Sequence, residues 1–306
     1  VYSGNQPAEL YGLKQQLNAG LSAGLCGFAV WGGDMAGYEG KPNVETYIRG
    51  VEFAAFQPLM RSHGTKTRCP WDFGKEAETV YLKYYWLREN LIEMLYSAAI
   101  SSNHRGLPMM KAMALAFPEE KDYLNNGEQY LFCDTILVAP VLEEKAQTKK
   151  VCFPKGTWYE LWSGNEVLGS CEREVPVSLK DCPAYLKSGI VLPVIMNEKM
   201  KWAVPFSEQN QTKVIVITPP NMDDEYRYYA EEDDKYVFKS VKEDERVFTI
   251  YSLKDIFINK LLIYGNVHEI EVDGKKEEFS IVYENQTMTA LRLKSDRWNK
   301  LTITCK

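Results

Sequence analysis

The sequence lacks the features that mark several large classes of protein. It has no uninterrupted apolar run of about 18 residues, so no membrane span and no membrane partner are predicted. Its seven cysteines are odd in number and form no CxxC pair, which argues against a zinc cluster and a complete disulfide framework and favours a reducing compartment such as the cytoplasm. With 36 basic and 42 acidic side chains the net charge is −6, which disfavours nucleic acid as a partner.

Motifs for phosphate and metal chemistry are also missing, and no Cys–His pairing indicates a nucleophilic thiol. Gly32-Gly33 is not followed by the Lys-Ser/Thr of a phosphate loop. Only three histidines are present, and His63 has no neighbour at the spacing of metal ligands. We therefore expect no catalytic metal and no cofactor.

What is present is typical of a globular protein. The 306 residues are 45% hydrophobic and 25% charged, and this length predicts two or three domains with a buried core. The chain opens VYSGNQPAEL, with neither an initiator methionine nor a leader sequence. We expect the natural start to lie upstream.

The first hundred residues alternate between predicted helices and short strands. Pro7 suits the first position of a helix, Asn43 suits an N-cap, and glycines bound an apolar run typical of a buried parallel strand. The predicted helices cover 6–25, 44–57 and 75–102, and the predicted strands cover 24–31 and 59–63. This order is typical of βα units, with the polar side chains gathered where the strands end.

The pattern changes after Gly106-Leu107-Pro108. From there the sequence shows short β-rich runs separated by turns, beginning with 109–117, and no convincing long helix. Such spacing predicts sandwich-type domains, and we place a break between two of them near 193–199.

Polar and aromatic side chains cluster at the predicted strand ends. The polar members are Asn5, Asp34, Arg61 and His63, and the aromatic ones are Tyr2, Trp31, Tyr38 and Trp71. Ring faces beside carboxylates and an imidazole suit a sugar, whose CH faces stack on rings while its hydroxyls need polar partners. The alternatives are a helix cap or a loop contact for Asp34 and a structural role for His63.

The motifs resemble those of glycoside hydrolase family 31, which contains retaining α-glucosidases and α-xylosidases. The matching segments lie in family order and cover residues 1 to about 190. They are Tyr2-Ser3-Gly4-Asn5-Gln6, Trp31-Gly32-Gly33-Asp34-Met35-Ala36-Gly37-Tyr38, Arg61-Ser62-His63-Gly64, Gly106-Leu107-Pro108-Met109-Met110, Leu137-Val138-Ala139-Pro140-Val141 and Phe153-Pro154-Lys155-Gly156-Thr157-Trp158-Tyr159.

The resemblance implies an α/β plus all-β architecture. Residues 1–105 would be the C-terminal portion of a catalytic (β/α)8 TIM barrel, 106–193 a proximal β-sandwich domain and 194–306 a distal one. The remaining barrel strands would come from an upstream segment of the same protein or from a partner chain, which would cover apolar helix faces otherwise left exposed.

The resemblance also assigns roles to individual residues. The family's nucleophilic aspartate would lie upstream of Val1, and Asn5 occupies the position of the acid/base aspartate. Tyr2 stands where a tryptophan lines the sugar subsite, while Tyr38 corresponds to the aromatic platform and His63 to a histidine that binds a hydroxyl. Asp34 corresponds to an aspartate that positions the acid/base loop.

These roles predict part of a retaining α-glycosidase that hydrolyses α-linked glucosides or related sugars by double displacement. An amide cannot deliver a proton and the nucleophile is missing, so the 306 residues alone are predicted to be inactive. Asn5 is then a substitution introduced to trap a substrate, or the protein is a natural variant in which another residue, such as Asp34, supplies the acid. The alternatives of a different class are a catalytically inactive carbohydrate-binding relative and a purely structural β-rich protein.

Overall fold

The computed structural model describes residues 1–306, with only the backbone described for Asp122. The chain folds into two compact units. Unit 1 comprises 1–88, 101–154 and 170–184, and unit 2 comprises 89–100, 155–169 and 185–306. The helices are α1 (Leu10–Leu25), α2 (Val44–Ala55), α3 (Lys75–Asn90), α4 (Ile92–Arg105) and α5 (Met113–Ala116).

The strands are short in the first half of the chain and longer in the second. They are β1 (Gly32–Asp34), β2 (Leu59–Arg61), β3 (Met110–Ala112), β4 (Tyr130–Phe132), β5 (Ile136–Val138), β6 (Thr148–Phe153), β7 (Thr157–Glu160), β8 (Glu166–Leu168), β9 (Cys171–Pro176), β10 (Ala184–Lys187), β11 (Val191–Asn197), β12 (Gln211–Ile217), β13 (Asp224–Glu231), β14 (Asp234–Lys242), β15 (Val247–Ile256), β16 (Lys260–Ile263), β17 (Val267–Val272), β18 (Lys275–Lys276), β19 (Phe279–Glu284), β20 (Thr289–Leu293) and β21 (Trp298–Cys305).

Unit 1 contains three parallel backbone segments joined by helices. Tyr2 forms a parallel bridge with Gly32, and β1 pairs in parallel with β2 so that Asp34 lies opposite Arg61. Helix α1 connects the first segment to β1, and α2 connects β1 to β2. The predicted βα order is confirmed, and the three segments end at a common edge of the sheet.

The predicted strand over 24–31 is wrong, because those residues terminate α1. The Phe28 amide donates to the Ala23 carbonyl and the Gly27 amide donates to the Gly24 carbonyl, with Gly27 at φ +88°. This pattern is a Schellman motif, in which glycine supplies the left-handed residue after the helix. The true strand is β1, which begins at Gly32, directly after the predicted one.

Other predicted elements are confirmed with different boundaries. Asn43 Oδ1 accepts from the Thr46 amide at 2.7 Å, which caps α2 as expected. Helix α1 starts at Leu10 rather than at residue 6, because Pro7 instead forms a bridge with Glu39.

The predicted single helix 75–102 is two helices, interrupted at Leu91. Beside the interruption, the buried Asn90 amide donates from Nδ2 to the Ile195 carbonyl and accepts at Oδ1 from the Ala203 amide. The predicted strand 109–117 is β3 followed by the short helix α5.

Unit 2 contains a β-sandwich. One sheet has the order β11-β12-β16-β20-β19, and the other has the order β13-β14-β15-β21-β17-β18. Both sheets contribute to one buried core, for example through Ile215 and Leu261 from the first and Phe238, Ile250 and Trp298 from the second. This confirms the predicted all-β character of the second half of the chain.

A strand occupies the position at which a break between two sandwich domains was predicted. Strand β11 runs through residues 191–197 and pairs with β12 along its whole length. The division at 105 and 193 into three domains remains a prediction. None of the helices among the residues described above has the length and apolarity needed to cross a membrane.

Candidate active site at the ends of the parallel strands

The structure brings three of the predicted site residues into one hydrogen-bonded group. The Tyr2 hydroxyl lies 2.6 Å from Asp34 Oδ2 and 2.8 Å from Asn5 Oδ1. On the other side of the carboxylate, Arg61 Nε and Nη2 lie 2.7 and 2.6 Å from Asp34 Oδ1. The Arg61 guanidinium also lies over the Tyr2 ring, 4.4 Å from its centroid.

Burial differs sharply across this group. The side chain of Asp34 is 0% exposed, whereas that of Arg61 is 48% exposed and Asn5 lies at the surface. Partial burial, followed by the hydrogen bond to the Asp34 carboxylate, raises the pKa of Tyr2 to about 12. Tyr2 therefore keeps its proton at neutral pH and acts as a donor.

The Tyr2 hydroxyl has one hydrogen for two acceptors. The charged carboxylate of Asp34 is the stronger acceptor, so the phenol donates to it. The 2.8 Å contact with Asn5 Oδ1 would then be satisfied by the amide in its other orientation, with the NH2 group donating to the phenolic oxygen. In that orientation a chain of donors would run from Asn5 through Tyr2 to Asp34 without a titrating proton.

Two buried glutamines hold the backbone of β1 beneath the carboxylate. Gln16 Nε2 donates to the Asp34 carbonyl at 3.0 Å, and the Gly33 amide donates to Gln57 Oε1 at 3.3 Å. The two side chains also contact each other, and each is 1% exposed. The sequence analysis missed both, although a glutamine on the apolar face of α1 is a signal that could have found Gln16.

Tyr38 and His63 form a second pair of predicted site residues. Their rings lie 5.4 Å apart between centroids, tilted by 45°. Tyr38 lies close enough to Tyr2 to add to the rise in its pKa, so the two pairs share one neighbourhood. His63 is exposed and Tyr38 is partly exposed.

A buried arginine fixes the loop that carries Tyr38. Arg68 Nη2 donates to the Gly37 carbonyl at 2.7 Å and to the Gly40 carbonyl at 3.2 Å, and it is 5% exposed. Gly37 has φ +78°, and a Cβ there would collide with the Pro7 carbonyl, so only glycine fits this turn. Arg68 was also missed, because nothing in its sequence neighbourhood distinguishes it from a surface arginine.

The remaining aromatic candidates do not join these contacts. Trp31 is 1% exposed and packs against Gly20, whereas Trp71 is 68% exposed in a short 3-10 helix. Over the part of the chain whose side chains are described, no three His, Cys, Asp or Glu residues are arranged to hold a metal ion. The site therefore offers an ion-paired carboxylate, a phenol, an amide, an imidazole and an aromatic face.

The profile of the glycosyl hydrolases family 31 TIM-barrel domain matches residues 1–98, and that of the family's C-terminal domain matches residues 106–192. The chain belongs to glycoside hydrolase family 31. It corresponds to the C-terminal portion of the family, as its motifs predict.

Relatives with named activities match a little under two thirds of the chain. An isomaltosyltransferase of Sporosarcina globispora is 33% identical over 210 residues, which is 64% of this chain and 19% of that protein. An alpha-xylosidase of Saccharolobus solfataricus is 32% identical over 201 residues, 63% of this chain and 28% of that protein. The chain thus spans between a fifth and three tenths of the length of these two relatives.

Solved structures match almost the whole chain. A cycloalternan-forming enzyme from Listeria monocytogenes, in complex with a pentasaccharide substrate, has a TM-score of 0.88 at 23% identity and covers 99% of this chain and 32% of its own. A family 31 dextranase from Flavobacterium johnsoniae, complexed with glucose, has a TM-score of 0.81 at 22% identity and covers 99% of this chain and 44% of its own. These likenesses concern the fold alone.

Proposed function

We propose that the chain supplies one side of the sugar-binding site of a retaining α-glycosidase acting on α-linked glucosides. The observation that carries this proposal is the group formed by Tyr2, Asn5, Asp34 and Arg61 at the strand ends, next to Tyr38 and His63. Named relatives that act on or transfer α-glucosyl or α-xylosyl groups support the same substrate class. In barrel enzymes of this kind the active site is built where the strands end.

In this proposal each side chain has a separate role. Tyr38 and His63 bind the sugar through a ring face and a hydrogen bond, and Asp34 positions Tyr2 through its short contact. Asn5 stands in the acid/base position, and the nucleophilic carboxylate belongs to the part of the protein outside these 306 residues. Since neither carboxylate of the double displacement is then present, the 306 residues by themselves do not hydrolyse glycosides.

The amide at position 5 favours a second candidate, a catalytically inactive carbohydrate-binding relative. An amide accepts hydrogen bonds from hydroxyls and also donates to them, whereas an ionised carboxylate only accepts, but an amide cannot transfer a proton at neutral pH. Binding would survive such a replacement, while cleavage of an unactivated glycoside would fall by about 10²–10⁴.

Activated and unactivated substrates separate the two candidates in the whole protein that carries this chain. An α-glucosyl fluoride has a leaving group that needs no proton, so an enzyme deficient only at Asn5 turns it over. Asn5→Asp then raises the hydrolysis of maltose or isomaltose by about 10²–10⁴ and leaves the rate with the fluoride nearly unchanged. Asn5→Ala is the control, which removes the amide without adding a carboxyl group.

The results have distinct meanings. Turnover of the fluoride together with the Asn5→Asp gain supports the glycosidase. Sugar affinity in calorimetry without any turnover of the fluoride, before and after the substitution, supports the binding relative. Failure to bind α-glucosides at all contradicts both.

A further inference from the structure

Unit 2 contains a cavity of about 330 Å³ whose lining residues are remote in sequence from the candidate active-site residues of unit 1. All of its lining residues belong to unit 2, and they include residues of β7 and β8, of the turn between β14 and β15, and of the C-terminus. Its volume falls at the lower end of the range of small-ligand sites, which is enough for one or two sugar rings.

The charges around this cavity are balanced. Glu166, Lys242, Glu245 and Arg246 line it, and none of these four side chains makes an ion pair with any residue whose side chain the structure describes. Two cations and two carboxylates leave no net charge, which disfavours a phosphate or another anion and favours a neutral ligand with several hydroxyl groups.

The other charged residues of the lining are already engaged. Asp244 Oδ1 accepts from the Arg246 amide at 2.7 Å and so shapes the turn, and Lys306 forms an ion pair with Glu284 at 3.1 Å. This turn presents Glu245 and Arg246 side by side. The backbone of this turn therefore places one unpaired carboxylate next to one unpaired cation.

Amide groups and an apolar wall complete the lining. Asn221 accepts at Oδ1 from the Ser188 hydroxyl at 2.7 Å, which leaves its NH2 group for a ligand. Pro219, Pro220 and Phe248 supply apolar surface on which the CH groups of a sugar ring can pack. Amides and charges of both signs beside apolar surface match the alternating CH and OH groups of a carbohydrate.

We propose that this cavity is a second carbohydrate site, distinct from the strand-end site, that binds α-gluco-oligosaccharides. The choice of an α-glucoside as the ligand rests on the proposed function, whereas the choice of a neutral polyol rests on the cavity itself. Such a site keeps a polysaccharide chain near the protein after one end has left the first site, which raises its effective concentration there.

Calorimetric titration of the whole protein with maltotriose and with isomaltotriose tests the proposal. Glu245→Ala together with Arg246→Ala removes two unpaired groups of the cavity, and we expect binding at one of two sites to weaken at least tenfold. Lys239→Ala with Glu243→Ala is the matched control, since it removes one cation and one carboxylate that are exposed near the same turn but lie outside the cavity lining.

A third variant, Tyr38→Ala with His63→Ala, separates this proposal from the proposed function. Loss of one site in each double variant, with both sites kept in the control, supports the cavity. If binding is unchanged in Glu245→Ala/Arg246→Ala and disappears in Tyr38→Ala/His63→Ala, the cavity proposal is overturned and the strand-end site survives. If only the cavity variant loses binding, the strand-end site fails instead. No binding of either sugar overturns both, provided that unfolding temperatures show every variant to be folded.

Discussion

Arg61 is the ion-pair partner of Asp34. The Asp34 carboxylate is fully buried, whereas the Arg61 guanidinium reaches solvent. We expect Arg61→Met to keep the aliphatic packing but leave an uncompensated charge in the interior. Breaking a fully buried pair typically costs about 3–5 kcal/mol. Since Arg61 is 48% exposed, water enters the vacated space and the expected loss falls to about 2 kcal/mol.

A more exposed pair in the same unit serves for comparison. Arg105 is 46% exposed and contacts Asp134 at 3.3 Å, but that carboxylate is itself 44% exposed and also pairs with Lys111. Arg105→Met is therefore expected to cost no more than about 1 kcal/mol. The difference between the two substitutions reflects the carboxylates rather than the arginines, since Asp34 is buried whereas Asp134 is half exposed and keeps a second cation.

Asp34→Asn provides the second control. In its background Arg61→Met leaves no buried charge behind and removes only the hydrogen bonds to a neutral amide oxygen and the contact with the Tyr2 ring, the latter worth roughly 0.5–1 kcal/mol at an exposed site. Urea unfolding at neutral pH, followed by tryptophan fluorescence, gives the free energies if the slope with denaturant stays constant. Equal losses for Arg61→Met and Arg105→Met, or an undiminished loss in the Asp34→Asn background, would refute the reasoning.

Two further predictions concern unit 1. Gly20→Ala places a methyl group inside the space of the buried Trp31 indole, so we expect a loss of about 1–3 kcal/mol in unfolding free energy. Gly127→Ala, whose methyl group would meet only the Asn18 side chain at 3.4 Å, is expected to cost less than about 0.5 kcal/mol. Burial outweighs the ion pair with Arg49 and raises the pKa of Glu52 from 4.5 to about 7. The folded state then binds the extra proton, so the contribution of Glu52 to stability is greatest below about pH 4.5 and falls as the pH rises to about 7. Glu52→Gln should remove this decline, up to about 3 kcal/mol, and identical pH profiles for the two proteins would contradict it.

Patterns confined to a few neighbouring residues predicted the fold well. The Asn43 cap needs only a side-chain oxygen three residues before a helical amide, and the structure has that bond. The resemblance was informative for the same reason, since its motifs are short and ordered. At the strand ends the structure links Asn5 with Tyr2 and Asp34, and Tyr38 with His63, as two contiguous groups.

Features that depend on distant partners could not be predicted. The glycines before Phe28 fit either a bounded strand or the end of a helix, and the bonds to Ala23 and Gly24 decide for the helix end. Gln16 reaches the Asp34 carbonyl from 18 residues away, and its burial depends on how α1 packs against β1. Helix periodicity continues through Leu91 without a glycine or proline, so the interruption there depends on the bonds of Asn90.

Either an asparagine or an aspartate at position 5 is compatible with the surrounding network. With Asn5 turned so that its NH2 group faces the phenol, the amide would donate to the Tyr2 oxygen while the phenol donates to Asp34, and each group would be satisfied. With an aspartate, the ionised form would compete with Asp34 for the single phenolic hydrogen, whereas the protonated form would donate to Tyr2 as the amide does. Two carboxylates roughly 5 Å apart repel by about 3 kcal/mol at a protein surface, an amount that Arg61 reduces. Tyr2 and Asp34 therefore favour the protonated form of an aspartate at position 5, which is the state that a general acid requires. The contacts around this position are thus compatible both with a catalyst and with a sugar-binding protein.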